Sequence, residues 1–206
     1  MPIDDRALPL RERKRLRTRR ALADTALRLF TEKGFAAATI EELVDAAEVS
    51  RSTFFRAFPT KEAVAIEAET ELWAGYLDAL TERELTGPVL TALRAVLVDA
   101  VTALPEDWDE RYIATRRLAL TAPSVLGHID YTRSGVENRV VAQLTTELDL
   151  PEDDLRPRIL AELATTAWSH AGRGWVAANG RGGRAALLDR LHAAFDAIPD
   201  ALQLST

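Results

Sequence analysis

Residues 39–58 read Thr-Ile-Glu-Glu-Leu-Val-Asp-Ala-Ala-Glu-Val-Ser-Arg-Ser-Thr-Phe-Phe-Arg-Ala-Phe, and they encode two short helices. Ile40, Leu43, Val44 and Ala47 fall at i, i+3, i+4 and i+7, the apolar face of the first. Thr39 and Glu42 have capping-box spacing: the hydroxyl can accept a backbone N–H while the carboxylate reaches back to another. Ser50 is a good N-cap for the second helix, which runs through Phe58. Only Glu48 and Val49 join the two. Phe54 and Phe58, four apart, can anchor a core, which leaves Arg51, Ser52, Thr53 and Arg56 facing outward. Two short helices, a tight turn and an amphipathic helix before them are the parts of a helix-turn-helix.

Helical periodicity continues on both sides. Upstream, Leu22, Ala26, Leu29 and Phe30 mark one helix face, and Gly34 stands where its chain should turn out of the helix. Downstream, Thr60 caps a fourth helix carrying Trp73, Tyr76, Leu77 and Leu80 on one side. A fifth follows Pro88, a sixth lies between Pro105 and Pro123, and a seventh runs from about Ser124 to Leu148. Pro157 allows an eighth, ending near Asn179, only if it falls in the first turns. A ninth follows Gly183, with Leu188, Leu191, Phe195 and Ile198 on one face. Strand alternation and internal repeats are missing. The pattern predicts an all-α chain of about nine helices: a flexible basic arm over 1–15, a three-helix helix-turn-helix domain over 16–76 with its motif at about 39–58, and a helical bundle over 77–206.

The 206 residues carry a net charge of −6, which taken whole argues against a nucleic-acid partner. The distribution reverses that reading. Residues 1–62 hold 13 basic and 10 acidic side chains, the remainder 13 and 22. Arg11, Arg13, Lys14, Arg15, Arg17, Arg19 and Arg20 crowd together before the first helix face, and a basic arm on an acidic body points to an anionic partner. With no cysteine, disulfide frameworks, Cys-ligated zinc and thiol catalysis are excluded. No stretch is apolar enough to span a membrane and no secretory leader is expected, so the expected location is the cytoplasm.

The outward face of the second short helix suits DNA. Arg51 can reach guanine edges, while Ser52 and Thr53 suit phosphates or base edges. The helix starts at Thr39 and Lys61 offer free N–H groups and positive dipole ends to phosphates. Enzyme readings find no support. His128, His170 and His192 lack ligand spacing, and Ser169 and His170, adjacent on a helix, point apart. No metal or cofactor is implied.

Residues 19–66 closely resemble the DNA-binding domain of the TetR family of bacterial transcriptional regulators. The resemblance is carried by Leu29-Phe30-x-x-x-Gly34-Phe35, the capping Thr39, the Val49-Ser50 turn and Phe58-x-x-Lys61-Glu62. It implies a homodimer, a double-stranded operator with two-fold symmetry, and a C-terminal pocket whose small-molecule effector lowers DNA affinity. Position by position it places Thr39 and Lys61 on phosphates, and Arg51, Ser52, Thr53 and Arg56 in or beside the major groove. Ser50, Phe55, Arg19 and Arg20 complete the candidate DNA-binding set. Two residues depart from the family pattern. Glu48 replaces the usual turn Gly, at a cost of roughly 1 kcal/mol if its φ is positive. Phe55 replaces a Tyr whose hydroxyl reaches a phosphate.

For the effector, which is expected to be lipophilic, the candidate residues are Trp73, Trp108, Tyr112, Arg116, His128, Tyr131 and Trp168, an apolar lining with a few orienting polar groups. The expected dimer contact is a four-helix bundle from the eighth and ninth helices of both protomers. The competing readings are a helical ligand-binding or scaffolding protein, and an enzyme using the aromatic cavity.

Overall fold

In the computed structural model, which describes residues 9–205, the periodicities resolve into ten helices and, among those residues, no strand. They are α1 (Leu10–Lys33), α2 (Ile40–Ala46), α3 (Arg51–Ala57), α4 (Lys61–Ala65), α5 (Glu67–Glu82), α6 (Val89–Ala103), α7 (Trp108–Thr121), α8 (Pro123–Glu147), α9 (Arg156–Ala177) and α10 (Gly183–Ala201). None is long and apolar enough to cross a membrane. Residues 1–8 of the expected arm lie outside the described residues, and residues 10–15 form the first turns of α1. Pro157 falls at the start of α9, where its missing N–H has no helical partner to lose.

Ten helices stand where nine were expected because the fourth is divided at Ile66 (φ −105°, ψ 20°). No Gly or Pro between Thr60 and Trp73 marks the break. Its support comes from α7: Thr115 Oγ1 donates to the carbonyl of Ala65 at 3.0 Å, and Trp108 Nε1 to that of Ala68 at 2.8 Å. Carbonyls at the junction thus gain partners from a distant helix, which offsets the irregular turn.

The chain forms two compact units, whose boundaries lie inside α5, between α6 and α7, and inside α8. The first comprises the described residues up to Thr70 together with Pro105–Ile129. Its core joins Leu22, Ala26 and Phe30 of α1 to Leu43, Phe54, Phe58 and Val64, and Leu118, Ala119, Val125 and Ile129 close it. Residues 105–129, placed in the C-terminal body by chain order, therefore cluster with the helix-turn-helix. The second unit comprises Glu71–Leu104 and the residues from Asp130 onward. There Leu72, Trp73, Leu97, Leu144, Trp168, Trp175, Leu191 and Phe195 are buried.

Three non-glycine residues, Glu48 (φ 53°), Asp149 (φ 49°) and Asn179 (φ 56°), adopt left-handed backbone. Each ends a helix in the same way. At the first, Val49 N–H donates to Val44 O at 3.0 Å and Glu48 N–H to Asp45 O at 3.1 Å. The pairs Leu150–Thr145 with Asp149–Thr146, and Gly180–Trp175 with Asn179–Val176, repeat the pattern. This is the Schellman arrangement, whose left-handed residue is usually Gly. Glu48→Gly is therefore expected to stabilise the chain by up to ~1 kcal/mol, read as a rise in melting temperature.

The capping box at α2 is formed in full: Thr39 Oγ1 accepts Glu42 N–H at 3.1 Å, and Glu42 accepts Thr39 N–H at 3.0 Å. A hydrogen bond from Lys33 and the one from the Thr39 backbone hold the Glu42 carboxyl down at about 2, against the usual 4.5. A carboxyl depressed on folding stabilises the chain above its unfolded value and loses that contribution as pH falls toward the folded one. Between about pH 5 and 2 the wild type should therefore lose more stability than Glu42→Gln, and acid unfolding curves of the two proteins check this.

Candidate nucleic-acid interface

The second short helix of the motif is amphipathic in the way its sequence requires. Phe54 and Phe58 are fully buried, with ring centroids 6.1 Å apart, while Arg51, Ser52, Phe55 and Arg56 are exposed and Thr53 is half-buried. Ser50 caps the helix by accepting Thr53 N–H at 3.2 Å. Its Oγ also lies 2.9 Å from both Ser52 Oγ and Thr53 Oγ1, so three hydroxyls cluster at one helix start. Phe55 packs edge-on against Phe54 at 5.2 Å and leaves its other side to solvent.

Arg51 forms a salt bridge with Glu41 of α2, and its guanidinium lies 5.8 Å from the centre of the Phe55 ring. Both ionic partners are exposed, so the bridge contributes at most ~1 kcal/mol and is readily exchanged for a stronger anionic partner. Arg56 has no ion-pair partner among the described residues. Thr39 is exposed at the start of α2.

Three other cations of the candidate set have partners within the first unit. Arg19 pairs with Glu67 and donates to the carbonyl of Ala57. Arg20 pairs with Asp107 and lies 3.4 Å from Asp24. Lys61 turns inward: its Nζ donates to the carbonyl of Phe35 and lies 4.4 Å from the centre of that ring. Burial pushes the Lys61 ammonium below its usual range, against the opposing pull of Glu62 and Glu42.

The aromatic and polar candidates for the effector divide between the two units. In the first, Trp108 and Tyr112 are buried and stacked at 4.7 Å, and Arg116 pairs with the buried Glu69 at 3.0 Å, so its charge is met by the chain's own carboxylate. His128 is half-buried. In the second, Trp73 packs edge-on against Trp168 at 6.1 Å and against Tyr76 at 5.8 Å, while Tyr131 is exposed. Tyr76, which the sequence places on the same side of the fourth helix as Trp73, lies outside the candidate set. Its hydroxyl is buried without a hydrogen-bond partner among the described residues, and burial pushes its ionisation well above the usual range. No pattern local to α5 signals an unpaired hydroxyl. A buried hydroxyl without a partner is costly, so Tyr76→Phe is expected to raise stability by about 1 kcal/mol, measured by thermal unfolding.

Also in the second unit, α9 and α10 enclose a groove of about 470 Å³ lined by Leu163, Ala167, Ala171, Gly174, Ala194 and Ile198, among others, with His170, Arg173 and Arg190 as polar members. Exposed Leu155 and Ile159 continue its stripe along α9 at helical spacing.

Residues 22–68 match the family described as bacterial regulatory proteins, tetR family. The chain is 32% identical over 173 residues to the HTH-type transcriptional regulator TcmR of Streptomyces glaucescens, covering 81% of this chain and 76% of that protein. Among solved structures it is similar to the fatty acid degradation regulator FadR from Bacillus halodurans (TM-score 0.53, 17% identity, 86% of this chain and 94% of that one). It is also similar to the SmeT–triclosan complex (TM-score 0.51, 21% identity, 85% and 90% covered).

Proposed function

The chain belongs to the tetR family of bacterial regulatory proteins, and from that premise we propose that it is a cytoplasmic repressor that leaves its operator when a small lipophilic effector binds. The observation that carries the DNA half of this reading is the two-sided α3, with two phenylalanines sealed in the core and Arg51, Ser52, Phe55 and Arg56 presented together outside. A helix of this kind fits the major groove, whose edges Arg51 and Arg56 read and whose flanking phosphates Thr39 and Ser50 contact. Phe55 supplies an apolar surface for a thymine methyl or a sugar.

The functional unit in this proposal is a dimer through α9 and α10. Small side chains let helices approach closely, and the groove with its exposed apolar extension is the surface a second copy would cover. Two recognition helices roughly 34–36 Å apart then meet successive major grooves of a two-fold operator. The effector favours another spacing, and a coupling of ~2 kcal/mol lowers operator affinity about thirtyfold. Support for a lipophilic effector comes from the buried aromatics Trp73, Tyr76, Trp168, Trp108 and Tyr112, and from triclosan in the complex of the similar SmeT.

Titration against DNA upstream of its own gene, at increasing salt, tests the reading. Sequence-specific binding that falls steeply with salt is expected, and binding no tighter than to random DNA would refute it. Arg51→Ala should relax specificity at one base position, at a cost of about 1–3 kcal/mol. Ala197→Glu, an exposed change on the groove wall, should shift sedimentation toward the monomer and weaken operator binding.

A further inference from the structure

Arg19 stands in the basic run before the first helix face and invites reading as a phosphate contact. Its surroundings point elsewhere, and we propose that Arg19 is the positioning residue of α3, locking the C-terminal end of the recognition helix to the start of α5 through Glu67. The inference rests on the reading of α3 as the helix that enters the groove.

Every useful side of the Arg19 guanidinium is occupied. Its Nε and Nη2 each lie 2.5 Å from one oxygen of the Glu67 carboxylate, a side-on bidentate pair. Its Nη1 donates at 2.5 Å to the carbonyl of Ala57, the last residue of α3. Its flat face covers the Phe58 ring with the guanidinium carbon 4.2 Å from the ring centre. One side chain of α1 thus satisfies a terminal carbonyl of α3, stacks on the aromatic residue that follows, and holds the first residue of α5. Glu67 is nearly buried, with 8% of its side chain exposed against 30% for Arg19. A carboxylate so placed needs its cation.

The geometry is specific to arginine. A lysine ammonium is a point charge that cannot bridge both carboxylate oxygens and a carbonyl while stacking on a ring. It would serve a phosphate well. This difference separates positioning from direct contact. Loosening the end of a seven-residue helix by Arg19→Lys spoils the alignment of its base-reading face, whereas the charge that attracts any DNA is unchanged.

The test compares Arg19→Lys, Glu67→Gln and the double variant for operator binding, random-DNA binding and the salt slope of each, after circular dichroism has confirmed helicity. If Arg19 positions α3, each single variant weakens operator binding about tenfold, and the charge-conserving Arg19→Lys keeps random-DNA affinity and the salt slope at wild-type values. The double variant then loses no more than either single one, since both break one link. If Arg19 is a phosphate contact, Arg19→Lys binds like wild type and Glu67→Gln does not weaken binding. That result overturns the proposal, as do additive losses in the double variant. A variant that loses helicity also counts against it, because the link would then hold up the fold at large rather than align one helix. A wild type that shows no preference for its operator refutes the underlying DNA reading instead, and so the two failures are distinguishable.

Discussion

Phe54 of α3 and Phe58, the residue that ends it, hold in place a helix that could not persist alone. α2 and α3 span seven residues each and α4 five, and isolated helices this short are marginal in water because nucleation is costly relative to the few hydrogen bonds that follow. Burying a phenylalanine contributes ~1.5–3 kcal/mol, and Phe54 and Phe58 lie at 0% exposure in the core they share with α1. The same packing aims the opposite face. With the rings inward, a rotation of about 100° per residue leaves Arg51, Ser52, Phe55 and Arg56 outside as one surface. Core and interface are two sides of one constraint.

Charge in the head follows from that arrangement. Arg19 and Arg20 on α1 and Lys61 on α4 neutralise carboxylates or satisfy carbonyls within the first unit. These contacts link segments of the first unit to one another. Arg51 and Arg56, which face solvent, are the cations left to meet an external anion on α3 itself. A basic count by position therefore overstates how many cations face outward and understates how many are paired within the unit.

The second unit uses its residues differently. Its aromatics pack against one another in the interior, while alanine and glycine are concentrated where α9 and α10 border the groove. Large rings supply buried area, and small side chains permit close approach of another helical surface. Both follow from side-chain size at positions set by helical period.

The sequence by itself determined the element types, the capping box at Thr39 and Glu42, and which face of α3 is buried. These features depend on residues within about one turn of each other, where the 3.6-residue period and backbone sterics act directly. The left-handed backbone of Glu48, conditional in the sequence, was decided by the structure. Only the tertiary structure decided the break at Ile66, the membership of residues 105–129 in the head unit, and the partners that Arg19, Arg20 and Lys61 meet. Apart from Asp24, one turn from Arg20, the partners of these groups lie 26 to 87 residues away in the chain. A local pattern reports how a segment coils. It carries no record of which distant carboxylate or carbonyl folding brings to a cation, so the charge that looked available for DNA was in part already in use.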